Sequence, residues 1–149
     1  MYLNHTELQH FLVEKGFFKA KLHFIASNHY KIVAEINGTR GWFILDTGAS
    51  TTFISEDSIE KFNLKLDQTT LKAHGAGPER IEAQMSNNNR LKIGRWGDSN
   101  CSLALIDLNP INSAFVTANL KAVDGIIGAD VLKKGKAVID YNKNYLYLK

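Results

Sequence analysis

Residues 42–50 read Trp42-Phe43-Ile44-Leu45-Asp46-Thr47-Gly48-Ala49-Ser50. Four consecutive apolar side chains show neither a helical nor an alternating period, which is the pattern of a strand covered on both faces. The strand runs directly into an acid and a group of small residues. An Asp at the end of a buried strand is costly unless it is held for a purpose, so Asp46 is expected to be desolvated yet reachable. The donors of a tight Thr47-Gly48 turn would fix its orientation. An isolated Asp-Thr-Gly is often only a turn cap. The surroundings argue for more: about 80 residues downstream a second apolar strand, Ile126-Ile127, again runs into a glycine, Gly128.

Asn37-Gly38 precedes this strand and predicts a type I′ hairpin, because both central residues of that turn need positive φ. The partner strand is then Tyr30 to Ile36, with Tyr30, Ile32, Ala34 and Ile36 alternating against Lys31 and Glu35. Phe18, Ala20, Leu22 and Phe24 alternate in the same way and predict one continuous strand. Thr6 to Gly16 reads as a helix with Thr6 as N-cap, Leu8, Phe11 and Leu12 on its buried face, and Gly16 as terminator. Downstream of the central stretch, Thr52 to Ile54 predicts a short strand and Ser55 to Phe62 a helix. Thr69 to Met85 predicts a hairpin with His74-Gly75-Ala76-Gly77-Pro78 at its tip. Asn87-Asn88-Asn89 predicts a turn, Leu91 to Ile93 and Ser102 to Leu108 strands, and Asn109 to Asn119 an irregular connection. Ala129 to Lys134 predicts a short helix, and Ala137 to Tyr141 with Tyr145 to Leu148 a closing hairpin.

The 149 residues allow one globular domain. Hydrophobic residues at 44% and charged residues at 22% are ordinary for a chain with a buried core. The longest apolar run is four residues, far below the roughly 20 needed to cross a bilayer, so no membrane partner is expected. The N-terminus MYLNHTELQH lacks a basic-then-apolar leader pattern, and the expected location is cytoplasmic. A formal charge of +3, from basic residues that look scattered along the chain, argues against nucleic acid as a partner. The five histidines form no HExxH pattern, and the single cysteine, Cys101, has no partner for a zinc cluster, so neither a metal site nor any other cofactor is expected.

The motifs, taken in order, resemble the retropepsin-like (retroviral-type) aspartic proteases. The likeness spans about Tyr30 to Lys149 and rests on three segments. These are Ile44 to Ser50 as the catalytic motif, the hairpin around His74 to Gly77 as the flap, and Asp124-Gly125-Ile126-Ile127-Gly128-Ala129-Asp130-Val131-Leu132 as the apolar-apolar-Gly strand with its helix. The closing segment looks more like the cellular members than the shorter viral tails. The resemblance implies a mostly β, closed barrel-like fold with a flap hairpin and two or three short helices. It divides the chain into an N-terminal helix and extension strand over 1–28 and the protease-like unit over 29–149.

It also implies the chemistry. Hydrolysis by an Asp pair needs one ionised carboxylate to take a proton from water and one protonated carboxyl to polarise the peptide carbonyl. This chain has a single Asp-Thr-Gly, so the second carboxyl is expected from another copy across a two-fold axis, in a homodimer acting on a peptide or protein substrate. Asp46, Thr47 and Gly48 are then the catalytic residues, Thr47 locking the two loops together and Gly48 admitting the substrate backbone. Ala49, Ser50, His74, Gly75, Ala76 and Gly77 are expected to bind substrate. The viral enzymes pair an Asp after the motif with an Arg before the helix. Here Ser50 and Ala129 stand in those places, so some other contact must fix the loop, and Asp130 is expected to make structural hydrogen bonds at the helix start. The closing hairpin is expected to lend its tyrosine- and leucine-rich edge to the dimer. Residues 1–28 have no counterpart in the minimal viral enzyme. If they cover the dimer surface, the chain becomes an inactive module that holds a peptide by strand addition.

Overall fold

A computed structural model of the chain describes residues 5–67, 70–74 and 80–149, with backbone alone for 5, 6, 70–74 and 80–83. Gly75, Ala76 and Gly77, at the expected flap tip, lie outside the described residues, and of His74 only the backbone is described.

The chain opens with α1 (His5–Glu14), which Gly16 terminates at φ +93° while Phe17 N–H returns to Leu12 O. Leu12 is buried but Phe11 is 56% exposed, so the inward stripe is narrower than its spacing predicts. The predicted continuous strand over Phe18–Phe24 is broken into β1 (Phe18–Lys21) and β2 (His23–Phe24) at Leu22, whose N–H donates to Asn144 O. Leu22 enters the core, while Phe18 and Phe24 remain exposed, because the chain changes sheets at this point.

Next come β3 (Tyr30–Ile36) and β4 (Thr39–Leu45), joined by Asn37 and Gly38 at φ +51° and +88° as the hairpin requires. β5 (Phe53–Ser55) follows. Ser55 then caps only a 3-10 turn, Glu56–Ser58, in place of the predicted longer helix, and the chain continues in turns that still bury Phe62. β6 (Thr70–His74) pairs antiparallel with β7 (Arg80–Ile93), and β7 with β8 (Trp96–Ile106). Asn87–Asn89 is not a turn. It is an irregularity inside β7, with Asn88 at φ +60° and the buried Asn89 amide donating to Ser86 O, Ser86 Oγ and Cys101 O.

The predicted irregular stretch is instead a helix, α2 (Asn109–Thr117), with Pro110 in its first turn and the Asp107 carboxylate accepting from Asn109 N–H. β9 (Gly125–Ile127), α3 (Ala129–Lys134), β10 (Val138–Asp140) and β11 (Tyr145–Leu148) complete the chain.

Among the described residues the strands form two sheets. The larger runs β2-β3-β4-β9-β5-β8-β7-β6, and a further β3–β7 pairing closes six of its strands into a barrel. The main core fills it with Ile32, Ile36, Phe43, Ile54, Leu91, Leu103 and Ile127 among others. Ile44 points the other way, into a smaller cluster with Phe115 of α2 and Val123, so the central strand is covered on both faces. The second sheet has the order β1-β11-β10. This overturns one expectation: β11 is not an edge. The N-terminal extension pairs Phe18–Lys21 along one side of it, β10 takes the other, and Leu146, Tyr147 and Leu148 are buried.

Candidate active site

Two strands of the barrel deliver the site. β4 and β9 run parallel, with Leu45 opposite Ile127, and Asp46 N–H continues the ladder by donating to Ile127 O at 2.9 Å. Beyond that bond β4 ends, and the chain turns through Thr47, Gly48, Ala49 and Ser50. Gly48 N–H donates to Asp46 Oδ1 at 2.9 Å and Ala49 N–H to Asp46 O at 3.2 Å, so the turn folds back on the acid and fixes its carboxylate. A Cβ on Gly48 would stand 3.2 Å from that same oxygen.

Asp46, Thr47, Gly48 and Ser50 are exposed and Ala49 is half-buried. The expected desolvation of Asp46 is therefore not met within one chain. The buried strand stops at Leu45, and no described residue folds over the carboxylate.

The contact that replaces the missing ion pair is a polar latch. Thr52 is buried; its N–H donates to Asp130 Oδ2 at 3.0 Å and its hydroxyl to Asp130 Oδ1 at 2.7 Å. The same hydroxyl accepts from Gly128 N–H at 3.0 Å. Asp130 Oδ1 also accepts from Val131 N–H, as its position at the helix start predicts. Ala129 N–H donates to Ala49 O at 2.6 Å. Gly128 is obligatory at this crossing, since a Cβ would lie 2.6 Å from Thr51 O and 2.7 Å from Ala49 O. Deeper in, Asp124 ties the strands together: its carboxylate accepts from Trp42 N–H and Ser58 Oγ–H and pairs with Lys61 Nζ at 2.9 Å.

Thr47 borders two hollows. One, about 180 Å³, is lined by Phe24, Tyr30, Leu45, Asp46, Ile139 and Tyr141 among others; the second, about 330 Å³, by Ala129, Leu132, Lys133 and Ile139 among others. Phe24 is 59% exposed and Tyr141 69%, and both rings lie against Tyr30, the first edge to face and the second tilted. The acid therefore sits at an apolar, aromatic rim. A larger hollow of about 540 Å³ lies elsewhere, and its Asn37 and Asn89 side chains are committed to internal hydrogen bonds. Among the described residues, no group of three or more His, Cys, Asp or Glu side chains is placed to hold a metal ion.

The acid and its turn are legible in the sequence; the latch and the rim are not. Thr52 looked like an ordinary strand residue. Phe24, Ile139 and Tyr141 meet only because two sheets converge on Thr47.

Residues 32–131 match a family model described as aspartyl protease. No curated protein matches the chain. Among solved structures, a retropepsin-like aspartic protease from Rickettsia conorii is similar over 89% of this chain and 91% of its own, at 22% identity and a TM-score of 0.59. The EIAV protease, in complex with an inhibitor, is similar over 79% and 98%, at 16% identity and a TM-score of 0.53. The retroviral protease-like domain of Ddi1 from Leishmania major is similar over 80% and 86%, at 17% identity and a TM-score of 0.53.

Proposed function

The chain belongs to the aspartyl protease family in a retropepsin-like fold, and on that footing we propose that it is an endopeptidase whose active unit is a homodimer, with one Asp46 from each subunit. The observation that carries this reading is the pose of Asp46. A single carboxylate stands in solvent at the end of a buried strand, oriented by Gly48 N–H, beside an apolar rim that a second copy would cover. Two such loops brought together by a two-fold axis place like charges close to one another, so the pair holds one proton between them. The ionised carboxylate takes a proton from a water molecule. The protonated one donates to the peptide carbonyl oxygen as the hydroxyl adds to its carbon, and the resulting diol collapses with proton transfer to the leaving amine. Thr47 bonds loop to loop. Ala49, Ser50 and the β6–β7 hairpin, acting as flap with His74, Gly75, Ala76 and Gly77, hold the extended substrate.

Because β1 already occupies one side of β11, the terminal sheet has β10 as its other edge, and Ile139 of β10 shares a hollow with Thr47. We assign the subunit contact to that edge and the Phe24–Tyr141 rim. The same pairing of β1 with β11 also favours a second reading, a monomer that binds peptides by strand addition without cutting them.

The decisive experiment measures peptide cleavage and sedimentation on the same preparations. Asp46→Asn keeps the shape of the side chain and should abolish cleavage with an unchanged circular dichroism spectrum. Wild-type specific activity should fall on dilution as the dimer dissociates. Full turnover in the Asn variant, or constant activity in a proven monomer, would sink the proposal; peptide binding by an inactive monomer would establish the second reading.

A further inference from the structure

The basic residues that look scattered in the sequence converge in space. One hollow of about 340 Å³ is lined by Lys19, Lys21, Arg40 and Lys92, with His23 alongside and Glu35 as its one acid. All four cations are exposed, and Lys19 is already engaged, its Nζ donating to Gln9 Oε1 at 3.3 Å and lying 4.4 Å from the Tyr145 ring. Glu35 is register partner to both Arg40 and Lys92, yet among the described residues it forms an ion pair with neither, and no carboxylate pairs with Lys21. Four cations against one acid concentrate in this hollow an excess equal to the formal +3 of the whole chain.

The floor of the hollow is a gap in the sheet. Along its outer side β3 pairs with β2 at Tyr30 and Lys31 and with β7 at Glu35 and Ile36. Between them no strand lies on that side among the described residues, and the opening is at Val33, which is half-buried, since Ile32 and Ala34 line the hollow but are buried. β1 forms the facing wall. It leaves the barrel at Leu22, pairs with β11 by one edge only, and packs at its other end near Gly94. An open strand edge recognises another backbone by main-chain hydrogen bonds, and a ring of cations selects negative side chains.

We propose that this groove binds an extended acidic polypeptide segment, its main chain running beside Val33 of β3 and its glutamates or aspartates meeting Lys21, Arg40 and Lys92. The length of the gap accommodates about three to five residues at roughly 3.3 Å each. The site is separate from the catalytic loop: Arg40 lies six residues before Asp46 on one strand, on the order of 20 Å away. His23, at the side of the hollow, is held below its ordinary pKa by burial first and then by Lys21 and by Lys31. A polyanion such as nucleic acid would satisfy the charges but not the open backbone edge, which is why a peptide is favoured.

The test is fluorescence anisotropy with a labelled octapeptide alternating glutamate and valine, checked by mass spectrometry to remain intact. Binding should weaken steeply with salt. It should weaken about tenfold or more in a Lys21→Glu, Lys92→Glu double variant, and stay unchanged in a Lys15→Glu, Lys65→Glu control of equal net charge. A peptide N-methylated at alternate residues should lose binding although its charge is intact. Equal binding by the Lys21, Lys92 variant or by the methylated peptide would overturn the proposal. So would a single-stranded oligonucleotide of similar length that binds more tightly than the peptide at the same lysines.

Discussion

The Thr52 hydroxyl donates to Asp130 Oδ1 at 2.7 Å while the Thr52 amide donates to Oδ2 at 3.0 Å, so one side chain of α3 holds both hydrogen-bond donors of a residue just beyond the Asp46 loop. Because that hydroxyl also accepts from Gly128 N–H, three segments meet at a single oxygen. The position of Asp46 is thus set from outside its own turn. Asp130→Ala leaves the Thr52 amide, which is buried, without an acceptor, a loss of about 1–3 kcal/mol. Urea unfolding should show that shift, and cleavage should fall with it. Asp130→Asn keeps one acceptor oxygen and should recover part of both.

Gly128 and Gly38 predict opposite kinds of damage. At Gly128 an added methyl meets two carbonyl oxygens at 2.6 and 2.7 Å, and backbone cannot swing aside as a side chain can. Gly128→Ala should cost roughly 3 kcal/mol or more by overpacking and displace the Ala49 carbonyl. At Gly38 nothing lies within 4 Å, and only the φ of +88° is at stake. Gly38→Ala should cost about 1–2 kcal/mol, with cleavage unchanged. Equal losses at the two sites, read by urea unfolding, would contradict this assignment.

Cys101 is 3% exposed, and burial first, then Asp98 and Asp130, pushes its thiol up to about 12. At neutral pH almost no thiolate forms, and Cys101 is almost wholly buried. Labelling by a thiol reagent should proceed only through unfolding, so its rate should rise with urea along the unfolding transition. Rapid stoichiometric labelling of the native protein would show that β8 opens locally.

The central strand and its acid were legible because a four-residue apolar run ending in Asp-Thr-Gly has few alternatives, and Asn37-Gly38 fixed the register of its partner. What escaped were features set by other parts of the chain. Asn109 to Asn119 is poor in helix formers, yet Pro110 suits a first turn and Phe115 gains a buried site, so packing prevails over propensity. The Asn87-Asn88-Asn89 run looks like a turn until Asn89 finds three acceptors inside the barrel. The tyrosine-rich last strand reads as an exposed edge until residues 18–21, more than a hundred positions earlier, pair with it. The exposure of Asp46 likewise depends on what covers it, and that surface belongs to another molecule in the reading proposed above.

His23 supplies a pH test whose sign is fixed. Its ring stands 5.1 Å from that of Trp42, edge to face, and burial, followed by Lys21 and Lys31, lowers its pKa below the ordinary 6.5. In the unfolded chain none of these effects operates. Between 6.5 and the lowered native value, the unfolded chain therefore binds a proton that the native protein does not, and stability rises with pH across that window. The contribution is complete above about 6.5 and is lost as the pH falls through the native value. A His23→Gln variant removes this component while other groups titrate as before. The difference in unfolding free energy between wild type and variant should be flat above about 6.5 and turn against the wild type below it. Nuclear magnetic resonance should place the native His23 midpoint below 6.5, and the acidic octapeptide should raise it by screening the two lysines. A native midpoint at or above 6.5, or one that the peptide leaves unmoved, would show that burial and the two lysines do not act on His23 as their positions require.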